Sequence, residues 1–290
     1  ALLNWIRGFL TNRRMRVLVN GKYSKWVEVL SGVPQGSVLG PLLFLLFVND
    51  IPDDLKCTVK MFADDTKIWN SIKDLNDGGK LSEDLINLEE WSKKWLLKFN
   101  IDKCKVMRIG HKFETRYILE GKELQEIKLE KDLGVWVSND LKPSMQCTKA
   151  AGRAFGVLAS IKRNFTHINK EGFIILYNAY IRPHLEYCVQ AWSPFLQKDI
   201  SCLERVQRKA TKLVKGLNKV RYEERLKMLN LFPLSYRRFR GDMIEVFKIL
   251  NGFDKVNYEQ FFKLSETTNL RGHSDKLFLE RSRLQIKKGF

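Results

Sequence analysis

One change of rhythm constrains this chain more than any other feature. Near Ser138 the apolar residues stop alternating and begin to recur at helical spacing. Before that point, Arg14–Leu30, 59–69, 104–109, 117–127 and 132–137 carry the strand period. Turn signals such as Asn20-Gly21 break it. A single amphipathic helix is predicted among these strands, from about Gly79 to Phe99, with Leu81, Leu85, Leu88, Trp91 and Trp95 on its core face. Beyond Ser138, Pro143–Arg163, Lys170–Ile181, Asp199–Leu217, Tyr222–Leu229 and Leu234–Leu250 all read as helices, with Pro183, Pro194 and Pro233 punctuating them. A strand-rich part followed by a helical part is an α+β organisation. From Leu264 onward the chain is polar, and we expect residues 264–290 to form a flexible tail.

Charge follows the same division. Residues 1–137 hold 22 Lys+Arg against 19 Asp+Glu, and residues 138–290 hold 29 against 14, so the formal net charge of +18 lies mostly in the helical part. Such asymmetry suits a polyanion partner, most simply nucleic acid. The longest apolar run, Leu42–Val48, is too short to span a bilayer. Arg7, Arg13, Arg14 and Arg16 interrupt the early apolar residues, so no secretory leader is read. The five cysteines are scattered and show no CxxC spacing, which predicts reduced thiols in an intracellular compartment.

Two stretches carry chemistry. Ser31-Gly32-Val33-Pro34-Gln35-Gly36-Ser37 can continue neither strand nor helix. It leads into Val38–Asp50, which is apolar on nearly all sides and is expected to be a buried helix with Ser37 as its N-cap. Asp50 reads as closing that helix. Next, Val59–Ala63 and Lys67–Trp69 predict a hairpin with Asp64-Asp65 at its tip. Adjacent carboxylates repel, and they stay ionised together only beside a divalent cation, a basic partner or open water.

Phe62-Ala63-Asp64-Asp65, preceded by the Ser31–Pro41 motif, resembles the reverse transcriptases of non-LTR retrotransposons, especially the jockey and CR1-like LINE elements. The resemblance continues through Phe99-Asn100, Lys131–Val135, Ile181–Cys188 and Leu203–Thr211, and so covers almost the whole chain. It implies a partial polymerase palm, an antiparallel sheet with packed helices, over residues 1–137. An all-helical thumb-like domain over 138–263 would follow.

The resemblance also implies roles. Asp64 and Asp65 would hold catalytic magnesium ions, two of them roughly 3.5–4 Å apart in such sites. Pro34, Gln35 and Gly36 would pack against incoming nucleotide and template, with Phe62 and Ala63 filling the positions ahead of the acids. Lys103 is either a general acid to the leaving pyrophosphate or a surface lysine. Arg205, Arg208, Lys209 and Lys212 either track a template–primer backbone or form a solvated face. The implied partners are an RNA template, a DNA primer and deoxynucleoside triphosphates, with no membrane, and the nucleus is the implied location of the parent enzyme.

One departure qualifies this. The family's third metal-binding aspartate, in a Phe-Asp type motif, would fall ahead of Trp5, and no aspartate precedes Asp50. The chain therefore reads as the C-terminal portion of such an enzyme, inactive alone. The alternative reading is a non-catalytic nucleic-acid-binding remnant or a domesticated fragment.

Overall fold

The computed structural model describes residues 1–110, 115–265 and 276–278, apart from the side chains of Leu75 and Asn76. It divides into two compact units. The first is Ala1–Val106 with the stretch ending at Glu126, and the second is Met107–Gly110 with the chain from Ile127 onward. The α+β reading holds, with mixed strands and helices first and a predominantly helical region after.

The first unit opens with α1 (Leu2–Leu10) and a nested hairpin. In that hairpin β1 (Arg13–Met15) pairs antiparallel with β4 (Val27–Val29), and β2 (Leu18–Val19) pairs with β3 (Lys22–Tyr23). Asn20 (φ +48°) and Gly21 (φ +78°) make the reversal, as that dipeptide predicts. After α2 (Leu39–Val48) and a single 3₁₀ turn, β5 (Thr58–Phe62) pairs with β6 (Asp65–Trp69). Helix α3 (Leu75–Trp95) follows, then β7 (Lys105–Met107), β8 (Ile118–Leu119), β9 (Lys122–Glu123) and β10 (Gln125–Ile127). The strands of this region pair in ladders of two. Val48, Ile51, Leu85, Leu88, Trp91, Tyr117 and Leu119 form the buried core, with Met61 and Ile68 of the β5–β6 hairpin packed against it. Trp91 is buried as expected, while Trp95 lies at the margin, edge-on to Phe47.

Two expectations for this unit are corrected. Helix α3 spans Leu75–Trp95 rather than 79–99. The Asp74 carboxylate accepts the N–H of Asp77, and Asp77 accepts the N–H of Lys73, a reciprocal cap that starts the helix ahead of Gly78-Gly79. At the other end Leu96 adopts φ +57° and the Leu97 N–H returns to the Ser92 carbonyl, which stops it. Helix α2, expected to be buried, exposes Leu42, Leu45 and Leu46, the last by 66%. Of its residues only Gly40 and Val48 are buried, and Val48 and Phe44, one turn apart, are those that meet the core.

The second unit begins with the antiparallel hairpin β11 (Leu129–Asp132) and β12 (Val135–Ser138). The expectation of one strand over 132–137 is therefore corrected. Leu133 (φ +43°) and Gly134 (φ +89°) turn the chain, and a Cβ at Gly134 would sit 3.1 Å from the Tyr187 ring, whose hydroxyl donates to the Leu133 carbonyl at 3.0 Å. Then come α4 (Ser144–Asn164), α5 (Lys170–Leu176), α6 (Arg182–Glu186), α7 (Gln197–Ala210), α8 (Tyr222–Met228) and α9 (Leu234–Leu250). Ala150, Ala151 and Ala154 of α4 are buried, and these small side chains let α7 approach with Leu203, Val206 and Ala210. A π-helical turn, Tyr177–Ile181, joins α5 to α6. It sits just ahead of Pro183, whose ring cannot lie against a carbonyl in a tight α-turn.

The five cysteines are free thiols, and no described helix is long and apolar enough to cross a membrane. The expected flexible tail falls mostly outside the described residues. Within them, Leu264 and Leu277 form an antiparallel bridge.

Candidate active site

The β5–β6 hairpin places the acidic pair. Phe62 and Asp65 face each other as its last cross-strand pair, so the turn consists of Ala63 and Asp64. The expected Asp-Asp tip is thus corrected: Asp64 is at the tip and Asp65 opens β6. Ala63 takes φ +54°, a left-handed conformation that costs a residue with a Cβ about 1–2 kcal/mol. Directly opposed residues share a face of the ladder. Val59, Ile68 and Met61 turn toward the core, while Phe62, Asp65, Lys60 and Lys67 share the opposite, exposed face. Both carboxylates are exposed, and neither makes a hydrogen bond or ion pair among the described residues. Their oxygens are hard donors open to a cation. Magnesium is commonly held by one or two carboxylates with substrate phosphates and water filling the rest of its shell, so the donor chemistry fits. Among the described residues, no group of three His, Cys, Asp or Glu side chains could hold a metal ion. The pair by itself does not make such a group.

What holds the hairpin in place was not read from the sequence. Helix α3 presents Asp84, Asn87 and Trp91 at i, i+3 and i+7, one face of a helix. All three bind the segment that leads from α2 into β5. The Asp84 carboxylate accepts the N–H of Lys56 (2.9 and 3.1 Å) and of Cys57 (2.7 Å). The Asn87 amide donates to the Asp54 carbonyl at 2.9 Å. The Trp91 indole donates to Asp50 Oδ1 at 2.9 Å. Asp50, expected only to close a helix, is thereby held by α3. The usable signal was an acid on an apolar stripe: Asp84 lies among Leu81, Leu85 and Leu88 and is fully buried.

The Pro34-Gln35-Gly36 loop is built from its own atoms. The Ser37 hydroxyl donates to the Pro34 carbonyl (2.7 Å) and accepts the N–H of Gly40 (3.0 Å), so Ser37 satisfies a first-turn N–H of α2 from one residue ahead of the N-cap position, Val38. A Cβ at Gly40 would meet that hydroxyl at 3.0 Å. Arg13 clamps the start of the loop, donating to the carbonyls of Ser31 (3.2 Å) and Gly32 (2.5 Å). No hydrogen bond among the described residues joins this loop to Asp64 or Asp65. Lys103 lies exposed on the turn closed by its own N–H to the Asn100 carbonyl, and its ammonium makes no ion pair among the described residues.

In the second unit, α7 and the 3₁₀ turn Thr211–Leu213 that continues it separate their polar residues by face. Arg205, Arg208, Lys209 and Lys212 are all exposed. Arg208 lies over the Tyr222 ring (4.3 Å) and Lys209 over Phe155 (5.1 Å), contacts that steady two of the four cations. Lys149 and Arg153 add exposed charge on α4, which packs against α7. The inward face holds Glu204, Gln207 and Thr211 in a buried network. Tyr177 donates to Gln207 Oε1, and Gln207 Nε2 donates to the Tyr222 hydroxyl and the Phe232 carbonyl (2.9 Å each). Tyr222 donates to Glu204, which also accepts the N–H of Leu234 at 3.0 Å. Burial pushes the Tyr177 and Tyr222 phenols above their ordinary range, so both stay protonated donors.

Known proteins match parts of this chain. The chain is 33% identical over 149 residues to a probable RNA-directed DNA polymerase from transposon BS of Drosophila melanogaster, covering 47% of this chain and 16% of that protein. It is 24% identical over 225 residues to the RNA-directed DNA polymerase from mobile element jockey of the same fly, covering 73% of this chain and 25% of that protein. A probable RNA-directed DNA polymerase from transposon X-element, also from that fly, is 25% identical over 222 residues, covering 73% and 24%. The chain thus spans a quarter or less of the length of these relatives. No solved structure matches it. Residues 2–148, about half the chain and the part that holds the Pro34–Gly36 loop and the carboxylate hairpin, match the family described as reverse transcriptase (RNA-dependent DNA polymerase), and to that family the chain belongs.

Proposed function

We propose that this chain is the palm and thumb portion of an RNA-directed DNA polymerase from a non-LTR retrotransposon, which extends a DNA primer on an RNA template with deoxynucleoside triphosphates. Residues 1–137 serve as the palm and 138–263 as the thumb. The observation that carries this reading is the pair of free carboxylates, Asp64 at a strained hairpin tip and Asp65 beside it at the start of β6, inside the matched family region. Asp64 and Asp65 hold magnesium, and a carboxylate outside the described residues completes the site. Bound there, magnesium would neutralise charge on the phosphoryl group being transferred. The tip's backbone, fixed by the pairing of Phe62 with Asp65 and by the hold of α3 on the preceding segment, keeps the carboxylates from collapsing into a core. The Pro34–Gly36 loop and the Phe62-Ala63 pair face nucleotide and template, and Lys103 stands near the leaving pyrophosphate. The parent enzyme works in a reducing compartment, the nucleus.

Manganese, a paramagnetic stand-in for magnesium, tests the metal role. It should broaden the amide signals of Phe62–Thr66 in the wild type and leave them sharp in Asp64→Asn with Asp65→Asn. Broadening centred elsewhere would remove the basis for the assignment.

A second reading, a nucleic-acid-binding fragment without catalysis, is favoured by the exposed cations of α7 together with the partial carboxylate site. Affinity for an RNA–DNA hybrid should then fall steeply with salt, and replacing Arg205, Arg208, Lys209 and Lys212 by Gln should flatten the log–log slope by about 3–4. An unchanged slope would show that these four side chains do not touch phosphates.

A further inference from the structure

Buried arginine is costly unless its charge and its N–H groups are matched. Arg238 of α9 is only 4% exposed, and its Nη1 has no hydrogen-bond partner among the described residues. No hydrogen bond or ion pair to Arg238 is found among the described residues. Its neighbour Arg237 is satisfied, binding both oxygens of Glu186, and Arg182 shares that same carboxylate at 3.5 Å. Glu186 is therefore already divided between two guanidinium groups. Asp242, one turn along α9, is half-buried and makes no ion pair with Arg238. Burial bears against the Arg238 charge, while Glu204, Asp242 and Glu186 act on it only from beyond bonding distance.

Arg238 borders a cavity of about 180 Å³, which Arg237, Arg240, Gly241, Gln190 and Glu186 also line. Three arginines face one glutamate there. The Gln190 amide nitrogen makes no hydrogen bond among the described residues and sits beside Gly241, where a Cβ would meet it at 3.7 Å. The cavity thus joins a buried unsatisfied guanidinium, a second cation and a free amide donor around a space suited to a tetrahedral oxyanion rather than a whole nucleotide.

We propose that this cavity, between α9 and the turn at Val189–Ala191, is a binding site for a phosphate group. Arg238 donates from the floor, Arg240 and Gln190 from the rim, and the missing side chain of Gly241 leaves the entrance open. The phosphate comes either from a free small molecule or from a nucleic-acid backbone, and both sources present the same oxygens.

Inorganic phosphate titrated into the full chain, followed by ³¹P line broadening, tests the site. Wild type should bind saturably. Gly241→Met should plug the entrance and cut phosphate affinity at least about tenfold. Its melting temperature in chloride should not fall, since α9 loses a glycine. Arg238→Met should lose binding to the same degree, and if that variant does not fold, Arg240→Gln with Gln190→Ala tests the rim instead. If phosphate also displaces an RNA–DNA hybrid and the plug weakens hybrid binding by a similar factor, the natural phosphate belongs to a backbone. If the plug abolishes phosphate binding but spares the hybrid, it belongs to a small molecule. Phosphate binding that is absent in the wild type, or unchanged by the plug, would overturn the proposal.

Discussion

Replacing Asp84 by alanine should loosen the segment that carries the acidic hairpin, and the cost can be worked from three contacts. The carboxylate is fully buried and accepts two backbone N–H groups, that of Lys56 through both oxygens and that of Cys57 through one at 2.7 Å. Alanine leaves both donors without a partner. A buried orphan donor costs about 1–3 kcal/mol, and water can recover part of that at the half-buried Lys56 amide, so Asp84→Ala should lose about 2–4 kcal/mol. Asp84→Asn keeps an acceptor and gives up the charge, so it should lose about 1–2 kcal/mol. Urea unfolding followed by tryptophan fluorescence suits the first unit, because Trp5, Trp26, Trp69, Trp91 and Trp95 lie in it. Hydrogen exchange of the Cys57 amide reports the same event at one atom. Burial alone would raise the Asp84 pKa, but the N–H groups of Lys56 and Cys57 outweigh it and hold the carboxyl below its ordinary 3.8. A depressed folded-state pKa gives stability that is complete above the unfolded value and is lost as pH falls through the folded one. Wild type should therefore lose more stability than Asp84→Asn as pH drops below about 4. A cost under about 0.5 kcal/mol for alanine, with the Cys57 amide still protected, would refute the reasoning.

Two further outcomes follow from the second unit and from the thiols. Gln207→Leu keeps the volume of α7's inner face but strands the Tyr177 hydroxyl and the Phe232 carbonyl, and should cost about 2–4 kcal/mol in chemical denaturation. A neutral result would mean that packing alone holds that core. Burial pushes the thiols of Cys57 and Cys147 up to about 12, so an aromatic disulfide reagent at neutral pH should label exposed Cys188 first and reach those two only after unfolding. Rapid labelling of Cys147 in the native chain would contradict its burial.

Helix α9 was legible at its observed bounds, Leu234–Leu250, because Pro233 marks its start and the apolar spacing runs unbroken. The turn at Leu133-Gly134 was not, because residues 132–137 alternate well enough to pass for one strand. What reverses the chain there is a left-handed pair tucked against Tyr187, a contact 54 positions away in sequence. In α3 the Gly78-Gly79 pair hid a helix start that side-chain caps enforce. Helix α2 shows the limit of composition: its residues are apolar all round, yet burial depends on neighbours, and only the face that carries Phe44 and Val48 meets the core.

At the site, the motif around Asp64 and Asp65 could be recognised in the sequence, but the roles of its supports could not. Asp84, Arg13 and Gln207 are polar residues that bond Cys57, Ser31 and Tyr177, 27, 18 and 30 positions away, and local pattern carries no trace of such pairs. The run Leu203–Thr211, along α7 and into the 3₁₀ turn that follows it, shows this. Its basic members are exposed, while Glu204, Gln207 and Thr211 hold the second unit together from inside.

Primer extension with magnesium on an RNA template tests the central claim most directly, which is that Asp64 and Asp65 form part of a polymerase site that the described residues do not complete. The account predicts no incorporation by this chain alone, and incorporation once a further polypeptide supplies the missing carboxylate, abolished by Asp64→Ala. Robust incorporation by the chain alone, lost in Asp64→Ala, would contradict it.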